Sequence, residues 1–393
     1  MLDHIAIFSA FYPPHLGGVE QFTHNLATQL TTQNIKVTVV TSSTEGLFRI
    51  SDGEVTVIGI PSKSIMGDRF PLMIPSKATF KQIKELTEAP FDGIVINTRY
   101  YPICLLGCRI ASAHNLRPVL IDHSSGPISN EKSPLGLAMR TYEAINNRLI
   151  RSKRPIGCSV SERGLSWLKS IGFDAQAVIP NSIDCAEYRS TAKPDSYREL
   201  LSLTDNEFLV TYAGRLIPEK GLPKLLGAVS SLNAAGACVH LAVAGSGPLE
   251  GKLLEAHETW LHYMGRLSKQ ELSGLLRDSD CFCLPTEYPE GLPTVLLEAA
   301  AQHCAIVVSN CAGAREVVPS KEYGTVLNVV SEDEIAKAIL VYCNDRGATT
   351  TCGDNVALHI EHGFSWAATA NKLIKILDAS YGYTQIKTAL VQY

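Results

Sequence analysis

Hydrophobic positions along this chain follow two alternating patterns, which predict an ordered series of strands and helices. Short, nearly continuous apolar runs predict strands buried on both faces. Longer segments between them repeat apolar residues at helical spacing, as in "GVEQFTHNLATQLTTQ", and this alternation is typical of parallel sheets covered by helices. The runs predict strands at residues 4–10, 36–41, 93–97, 118–122 and 156–159, and again at 208–213, 239–244, 281–285, 305–309 and 324–329.

The two series of strands are separated by a segment without periodicity, "AVIPNSIDCAEYRSTAKPDSY", which is rich in Pro, Asn, Ser and Asp. Such a composition favours a linker. We therefore predict an α/β protein with a first domain at 1–185, a linker region at 186–205 and a second domain at 206–365. Two Rossmann-like doubly wound domains would face each other across a cleft, with ligands near the carboxyl ends of the strands.

Composition supports this organisation and excludes several classes of protein. The chain has 393 residues, 45% hydrophobic and 19% charged, which are values of a soluble globular protein long enough for two domains. Its net charge of −4 gives no general reason to expect nucleic-acid binding. The apolar run at the start of the sequence has no basic region before it, so we interpret it as a strand and not as a signal peptide. No apolar stretch is long enough to span a membrane.

The number and spacing of the cysteines indicate the redox state of the compartment in which the protein resides. There are 11 of them, mostly within apolar runs and without paired CxxC spacing. The favoured interpretation is reduced, buried thiols in a cytoplasmic protein, with a disulfide framework or a metal cluster as the alternative.

An acid interrupts the apolar segment "EYPEGLPTVLLEAAAQ" at residues 287–302. Pro293 suits the start of a helix, where the free N–H groups of Thr294 and Val295 favour an anion. Glu298 lies one turn further along the same face, and Glu290 precedes the helix, so both carboxylates can approach one ligand. Carboxylates suit vicinal hydroxyls. Alternatively, Glu298 pairs with a buried Arg or Lys, and Glu290 merely belongs to a surface loop.

A second candidate site follows the predicted strand at 208–213 in "YAGRLIPEKGLPKLL". Arg215 and Lys220 stand at this strand end, and two fixed cations there would neutralise a diphosphate and stabilise the charge that develops on it. The alternative is a pair of solvated surface cations. The glycine and proline that open the next helix favour the functional interpretation.

Glycine-rich turns follow two further strands. Gly17 and Gly18 precede a helix in "FYPPHLGGVEQF" and would let the backbone approach an anion, although an ordinary tight loop would also use them. Gly245 and Gly247 in "AVAGSGPLEG" fit a turn that faces a nucleoside and a plain loop equally well. Their spacing departs from the GxGxxG fingerprint of NAD-binding proteins.

His123 in "VLIDHSSG" follows a predicted strand, which places an imidazole at the edge of the expected cleft. A capping or packed histidine is the common alternative. Asp278 and Asp280 are spaced as in a DxD metal site, but they lie where a helix gives way to a strand, so capping explains them better. We predict no essential metal.

Together these segments resemble the retaining glycosyltransferases of family 4, which have the GT-B fold. The motifs occur in family order along nearly the whole chain: "GGVE", "DHSSG", "VIPNSID", "AGRLIPEKGL", "VAGSGP", "YMGRLS", "PEGLPTVLLEAAA" and "HGFSW". The resemblance implies that a last helix, at 366–393, packs back on the first domain. It also implies retention of anomeric configuration, in which positioning and charge stabilisation replace a protein nucleophile.

The resemblance further implies a role for each candidate residue. Arg215 and Lys220 would bind the diphosphate, Glu298 the ribose hydroxyls and Glu290 the transferred sugar. His123 would line the reacting face, and Gly17 and Gly18 would approach the phosphates or the acceptor. The donor would be held by these residues together with Gly245, Gly265, Arg266, Gly291, Leu292, Pro293, Thr294 and Val295.

The implied substrates are a nucleotide sugar and a glycan or lipid-linked acceptor, in surface polysaccharide or glycolipid synthesis, with no cofactor. A UDP-hexose or UDP-N-acetylhexosamine is expected as donor from its frequency in the family, with GDP-mannose as an alternative. Two other functions fit the same fold: a binding protein that senses or scaffolds without transfer, and an epimerase that transforms the donor without an acceptor.

The segment 134–154, "PLGLAMRTYEAINNRLIRSKR", predicts a helix with a basic end. Leu135, Met139, Tyr142, Ile145 and Leu149 recur at helical spacing, whereas Arg140, Arg148, Arg151, Lys153 and Arg154 lie largely elsewhere. The favoured interpretation is a core helix with a solvated basic face. The second is peripheral contact with an anionic membrane, at the inner face of the cell membrane.

Overall fold

A computed structural model describes residues 2–15, 17–65, 70–129, 133–288, 290–310 and 313–391, and the side chains up to residue 379. The chain divides into two compact units. The first unit contains Met1–Asn181 and Trp366–Tyr393, and the second contains Ser182–Ser365.

The first unit is built around a sheet in the order β3-β4-β2-β1-β6-β7-β8-β9, to which β5 is added beside β4. All pairs are parallel except β3–β4 and β4–β5. Its elements are β1 (His4–Ser9), α1 (Gly18–Thr31), β2 (Lys36–Ser43), β3 (Phe48–Asp52), β4 (Val55–Ile65), β5 (Phe70–Met73), α2 (Lys77–Glu88), β6 (Gly93–Asn97), α3 (Pro102–Ala113), β7 (Val119–Asp122), α4 (Pro134–Arg151), β8 (Ile156–Ser159), α5 (Glu162–Ser170), β9 (Ala175–Val178) and, from the carboxyl terminus, α15 (Trp366–Val391).

The second unit has a wholly parallel sheet in the order β12-β11-β10-β13-β14-β15. Its elements are α6 (Cys185–Ser190), α7 (Tyr197–Leu200), β10 (Phe208–Ala213), a short 3-10 helix (Pro218–Lys220), α8 (Leu222–Ala234), β11 (Val239–Ala244), α9 (Glu250–Leu254), β12 (Leu261–Gly265), α10 (Lys269–Arg277), β13 (Cys281–Leu284), α11 (Thr294–Ala301), β14 (Ala305–Ser309), α12 (Ala314–Val317), β15 (Thr325–Leu327), α13 (Glu332–Asn344) and α14 (Arg346–Gly363).

The central strands are buried along their whole length because helices cover both faces of each sheet. Every residue of β1, β6 and β10 is buried, which explains why these strands appear in the sequence as continuous apolar runs rather than as alternating ones. The predicted strands are therefore confirmed, within one or two residues at their ends. Connections between parallel strands bring all their carboxyl ends to one edge of each sheet.

Five strands escaped the sequence analysis: β3, β4, β5, β9 and β12. The exposed positions in β3 and β5 and the half-buried β12 break the apolar runs that identify a strand. Strands near a sheet edge bury fewer residues, so periodicity is a weaker signal for them.

The segment predicted as a linker, 186–205, carries most of α6 and all of α7 and lies in the second unit. Asp184 caps α6 by accepting a hydrogen bond from the backbone N–H of Glu187, and Ser196 caps α7 in the same way. The polar residues that suggested a linker therefore include helix caps. At the other end of the chain, α15 packs against α1 of the first unit.

Helix α4 differs from the favoured sequence interpretation. Its large apolar side chains Leu135, Leu137, Ile145 and Leu149 are exposed by 56%, 60%, 57% and 45%, whereas Gly136, Glu143, Asn146, Asn147 and Ile150 are buried. The prediction of an ordinary core helix is wrong, because the buried face of α4 is used for hydrogen bonding to a buried arginine, described below. The apolar face points outward.

Candidate functional site

Three loops meet at the carboxyl edge of the sheet in the second unit, after β10, β11 and β12. The backbone N–H of Gly245 donates to the carbonyl oxygen of Gly265 at 2.7 Å, and that of Leu216 donates to Ser246 at 3.0 Å. Gly245 has a φ of +139°, and a Cβ there would overlap the carbonyl oxygen of Gly214. Glycine at 245 is therefore required for close packing of these loops. This packing is compatible both with a turn that faces a nucleoside and with a plain loop.

Lys220 is brought to the same edge by a close approach of two chain segments. The short 3-10 helix ends at Gly221, which has a φ of +79°, and a Cβ there would overlap the carbonyl oxygen of Pro285 just after β13. Lys220 Nζ then donates to Glu290 Oε1 at 2.5 Å, and the Thr286 hydroxyl donates to the same oxygen at 3.1 Å. Two residues predicted separately thus form one largely buried ion pair.

Glu290 leads directly into the start of α11. This helix begins at Thr294 with Pro293 in the N-cap position, and no side chain caps it. Gly291, Leu292 and Pro293 are buried, whereas Thr294 and Val295 are half-exposed. The first N–H groups of α11 therefore receive no side-chain cap, and Lys220 lies near them through its contact with Glu290.

Glu298 lies one turn into α11. Among the residues that the structure describes, its carboxylate has no ion-pair or hydrogen-bond partner, so the alternative of a buried salt bridge is not supported. Part of its surface is open, but protein surrounds most of the carboxylate. Burial raises its pKa to about 7, although the charge of Lys269 acts in the opposite direction. Hydrogen bonds from the hydroxyl groups of a ligand would stabilise the ionised form of such a buried carboxylate.

Two predicted cations are exposed. Arg215 follows β10 and Arg266 follows β12, and both side chains are solvated. Gly265, beside Arg266, has a φ of +65°, and its carbonyl oxygen already accepts from Gly245. Arg215 therefore remains available to a ligand at the same edge of the sheet as Lys220.

Asp278 and Asp280 are structural. Asp278 accepts a hydrogen bond from the backbone N–H of Tyr197 at 2.6 Å, and Asp280 accepts from that of Leu209 at 2.7 Å. Asp280 also forms ion pairs with Arg198 and Arg346. These contacts occupy the carboxylates that resembled a DxD motif.

In the first unit, His123 follows β7 and is oriented by a chain of hydrogen bonds. Its Nε2 lies 2.9 Å from Asn97 Oδ1, while the amide of Asn97 donates to the Thr23 hydroxyl, which donates to the Val19 carbonyl at 2.7 Å. Because the Asn97 amide nitrogen is already a donor to Thr23, its oxygen accepts from His123 Nε2–H. This leaves Nδ1 unprotonated, and burial lowers the pKa of His123 to about 3.

Asn97 is a site residue that sequence reasoning missed. We expect Asn97→Asp to raise the pKa of His123 by about 1 to 3 units, because a carboxylate would face the Nε2 proton. Imidazole nitrogen NMR shifts across pH 4 to 8 measure both the pKa and the tautomer. Asn115→Asp, at an exposed position, should leave His123 unchanged. A wild-type His123 protonated at Nδ1 would contradict this arrangement.

Gly17 and Gly18 begin α1 beside a small pocket of the first unit. The pocket has a volume of about 210 Å³ and is lined by residues that include Phe11, Glu20, Tyr100 and His123. Glu20 is buried and lies 3.1 Å from His15 Nδ1, and a Cβ on Gly17 would overlap its carboxylate. An acid therefore already occupies the start of α1, which favours a hydroxyl-bearing ligand here over a phosphate.

A fully buried arginine, Arg99, holds the loop around His123 in place. Its guanidinium donates to Glu143 of α4 at 2.7 Å, and its Nε lies 3.4 Å from Asp122. Asn146 of α4 donates to the Arg99 carbonyl oxygen. The polar face of α4 is buried because it satisfies this charge, and an isolated Arg in the sequence carried no signal of that partner.

Comparison with known proteins agrees with the fold. The model for glycosyltransferase family 4 matches residues 16–187, and the model for glycosyl transferases group 1 matches residues 195–359. A GDP-mannose-dependent monoacylated alpha-(1-6)-phosphatidylinositol monomannoside mannosyltransferase of Corynebacterium glutamicum is 22% identical, over 94% of this chain and 96% of its own length.

Solved structures show the same architecture. Sucrose-phosphate synthase from Thermosynechococcus elongatus has a TM-score of 0.72 at 18% identity, covering 98% of this chain and all of its own. The Anabaena protein HepE in complex with UDP has a TM-score of 0.71 at 17% identity, covering 96% of this chain and 100% of its own.

The fold and the two matched models define a glycosyltransferase of the GT-B fold. The chain belongs to the family 4 type of these enzymes.

Proposed function

We propose that this glycosyltransferase moves a hexose from a nucleoside diphosphate sugar to a lipid-linked acceptor, with retention of anomeric configuration. The observation that carries the proposal is the contact between Lys220 and Glu290 beside the uncapped start of α11. Glu298, one turn further on, would supply to the ribose hydroxyls a carboxylate that has no hydrogen-bond partner among the described residues.

The chemistry assigned to the second unit is charge stabilisation. As the bond from the anomeric carbon to the phosphate oxygen breaks, negative charge grows on the nucleoside diphosphate. Lys220, Arg215 and the N–H groups at the start of α11 would stabilise that charge. The acceptor oxygen forms the new bond on the same face and gives its proton to the leaving phosphate. Glu290, held by Lys220 and Thr286, would accept hydrogen bonds from the transferred sugar.

In the first unit, neutral His123 and Glu20 line the small pocket that we assign to the sugar or the acceptor. Both offer hydrogen-bond acceptors to hydroxyl groups. The low pKa of His123 keeps the imidazole uncharged at neutral pH, so it would position hydroxyls and would not supply a proton.

Two donors have support. Family frequency predicts a UDP-hexose or UDP-N-acetylhexosamine, whereas the printed name of the corynebacterial relative specifies GDP-mannose and a phosphatidylinositol mannoside acceptor. We give GDP-mannose priority, because that relative matches almost the whole chain. Glycolipid synthesis is the proposed setting.

Mass spectrometry tests the proposal. Purified protein is incubated with GDP-mannose, UDP-glucose and UDP-N-acetylglucosamine, with and without lipid-linked and simple sugar acceptors. We expect one nucleoside diphosphate and a matching glycosylated product, with the anomeric configuration of the donor by NMR. Lys220→Met should lose most of this product, and Lys224→Met is its matched control, since Lys224 pairs with Glu287 at the surface. A product with inverted anomeric configuration would exclude the retaining mechanism. Conversion of the donor sugar without an acceptor would indicate an epimerase, and donor binding without any turnover would indicate a sensor or scaffold.

Donor affinity should depend on pH through Glu298. Hydroxyl donors bind its carboxylate form, and this form is lost as pH falls through its pKa of about 7. We expect affinity to be nearly constant above pH 8 and to fall about tenfold between pH 8 and pH 6. Calorimetry with GDP-mannose or UDP-glucose measures this, since neither titrates in that range. Glu298→Gln should bind more weakly and without pH dependence; an unchanged dependence in this variant would assign the titration to another group.

We also propose that α4 contacts an anionic membrane. Its outward face carries four exposed large apolar side chains, and Arg148, Arg151, Lys153 and Arg154 follow at its carboxyl end. Apolar burial and attraction to anionic lipid would act together on such a surface. No helix among the described residues is both long and apolar enough to cross a bilayer.

Vesicle sedimentation tests this contact. Binding to phosphatidylglycerol vesicles should be strong at low salt and weak at high salt. Ile145→Ser combined with Leu149→Ser should reduce it about tenfold or more, because two exposed apolar groups are lost. Leu200→Ser combined with Leu254→Ser is the matched control in the second unit, where both leucines are more exposed than Ile145 and Leu149. Equal loss in both variants would argue against α4 as the contact.

A further inference from the structure

A second pocket of the first unit lies at the sheet edge opposite the one that carries His123. It has a volume of about 510 Å³ and is lined by the segments that precede β7, β8 and β9. These strands are parallel, so their amino ends meet there. We call this the amino-edge pocket; its charged lining residues are Arg117, Arg151, Lys153, Arg154 and Asp174.

The cations of the amino-edge pocket are incompletely neutralised. Arg117 pairs with Asp174, and its Nε donates to the carbonyl oxygen of Arg154 at 2.6 Å. Among the described residues, Arg151, Lys153 and Arg154 have no ion-pair partner. Four cations with one carboxylate leave a net charge of +3 around one concavity (4 − 1). Like charges held together are unfavourable unless an anion binds between them.

The backbone of the pocket is arranged around these side chains. Gly172 has a φ of +84°, and a Cβ there would overlap the Arg151 guanidinium. Arg154 has a φ of +48°, an uncommon conformation for arginine. Its N–H donates to the Arg151 carbonyl oxygen at 2.9 Å, so the turn at the end of α4 directs a cluster of cations to one place.

We infer that the amino-edge pocket binds a phosphate group, and that its source is the headgroup of an anionic phospholipid. Arg guanidinium groups match phosphate oxygens in pairs. Helix α4 carries its exposed apolar face as far as Leu149 and ends at Arg151, which lines the pocket. A phospholipid whose acyl chains contact the end of that face would therefore have its headgroup near the pocket. The inference rests on the proposed membrane contact of α4 and adds a defined site to it.

Soluble headgroup analogues test the pocket independently of membranes. Glycerol 3-phosphate and inorganic phosphate are titrated into isotopically labelled full-length protein at low ionic strength. We expect saturable shifts of the Lys153, Arg154 and Gly172 amides at millimolar concentrations. Arg151→Gln combined with Arg154→Asn should abolish them, and Lys77→Gln combined with Arg109→Gln, which removes the same charge at exposed positions outside the pocket and outside α4, should not. Absent or unlocalised shifts would overturn the phosphate site.

Vesicles then decide the source of the phosphate. Replacing phosphatidylcholine by phosphatidylglycerol should increase partitioning at least tenfold, and the pocket variant should lose clearly more of this increase than the charge-matched variant. If glycerol phosphate binds but the two variants lose vesicle binding equally, a lipid headgroup is excluded as the occupant. If neither the pocket variant nor the charge-matched variant changes vesicle binding, the lipid headgroup is likewise excluded as the occupant. Sugar transfer to a soluble acceptor is independent of all these outcomes.

Discussion

Lys220→Met should reduce the turnover number for sugar transfer by at least about a hundredfold. Loss of one preorganised group that stabilises transition-state charge typically costs this much. The effect has two parts here, because Lys220 would stabilise the diphosphate charge in the proposed mechanism and also holds Glu290 at 2.5 Å. Without the ammonium group, the largely buried Glu290 carboxylate would lose its cation and keep the hydrogen bond from Thr286. Steady-state kinetics with the identified donor measures the loss.

Lys224→Met separates this effect from a general loss of positive charge. Lys224 lies one turn further along, in α8, and is half-exposed; its ammonium group donates to Glu287 at 2.7 Å and to the Val330 carbonyl oxygen at 2.9 Å. Its replacement should change turnover less than threefold, as is usual for a surface ion pair. Comparable losses in the two variants would show that the charge of this region, and not the Lys220–Glu290 contact, supports transfer.

Arg99→Met should destabilise the protein by about 3 to 5 kcal/mol, because removing one partner of a buried ion pair leaves buried charge without compensation. Arg99 is fully buried with Asp122 and Glu143. Burial raises the pKa of Asp122, and the guanidinium counteracts this. The same change should loosen the loop that carries His123, since Arg99 also donates to Gly126.

Calorimetric unfolding of the full chain measures this loss, with Arg109→Met as the control. Arg109 lies on the exposed face of α3 and should contribute less than about 0.5 kcal/mol. A second variant, Arg99→Met with Asp122→Asn and Glu143→Gln, removes both orphaned charges and should recover part of the stability. Equal stability of Arg99→Met and the wild type would show that the buried network is not required for folding.

Much of the fold follows from the order of residues alone. Strands such as β6 and β10 are recognisable because burial on both faces leaves continuous apolar runs, which is a local property. The same holds for turns, where a glycine at a strand end marks a tight approach of the backbone. Arg215, Lys220, Glu290 and Glu298 could be selected because they interrupt such patterns with charge. Edge strands such as β3 and β5 gave no comparable signal.

Only the tertiary structure decided which of these residues meet. Lys220 and Glu290 are far apart in sequence and are joined because Gly221 permits the chain to pass against Pro285. Asn97 orients His123 from the neighbouring strand, and no local pattern announces that hydrogen bond. The apolar residues of α4 predicted a buried stripe, yet Glu143 and Asn146 are buried instead because Arg99 requires partners. Sequence periodicity records the average polarity of a face, whereas the partners of buried charges depend on contacts between distant segments.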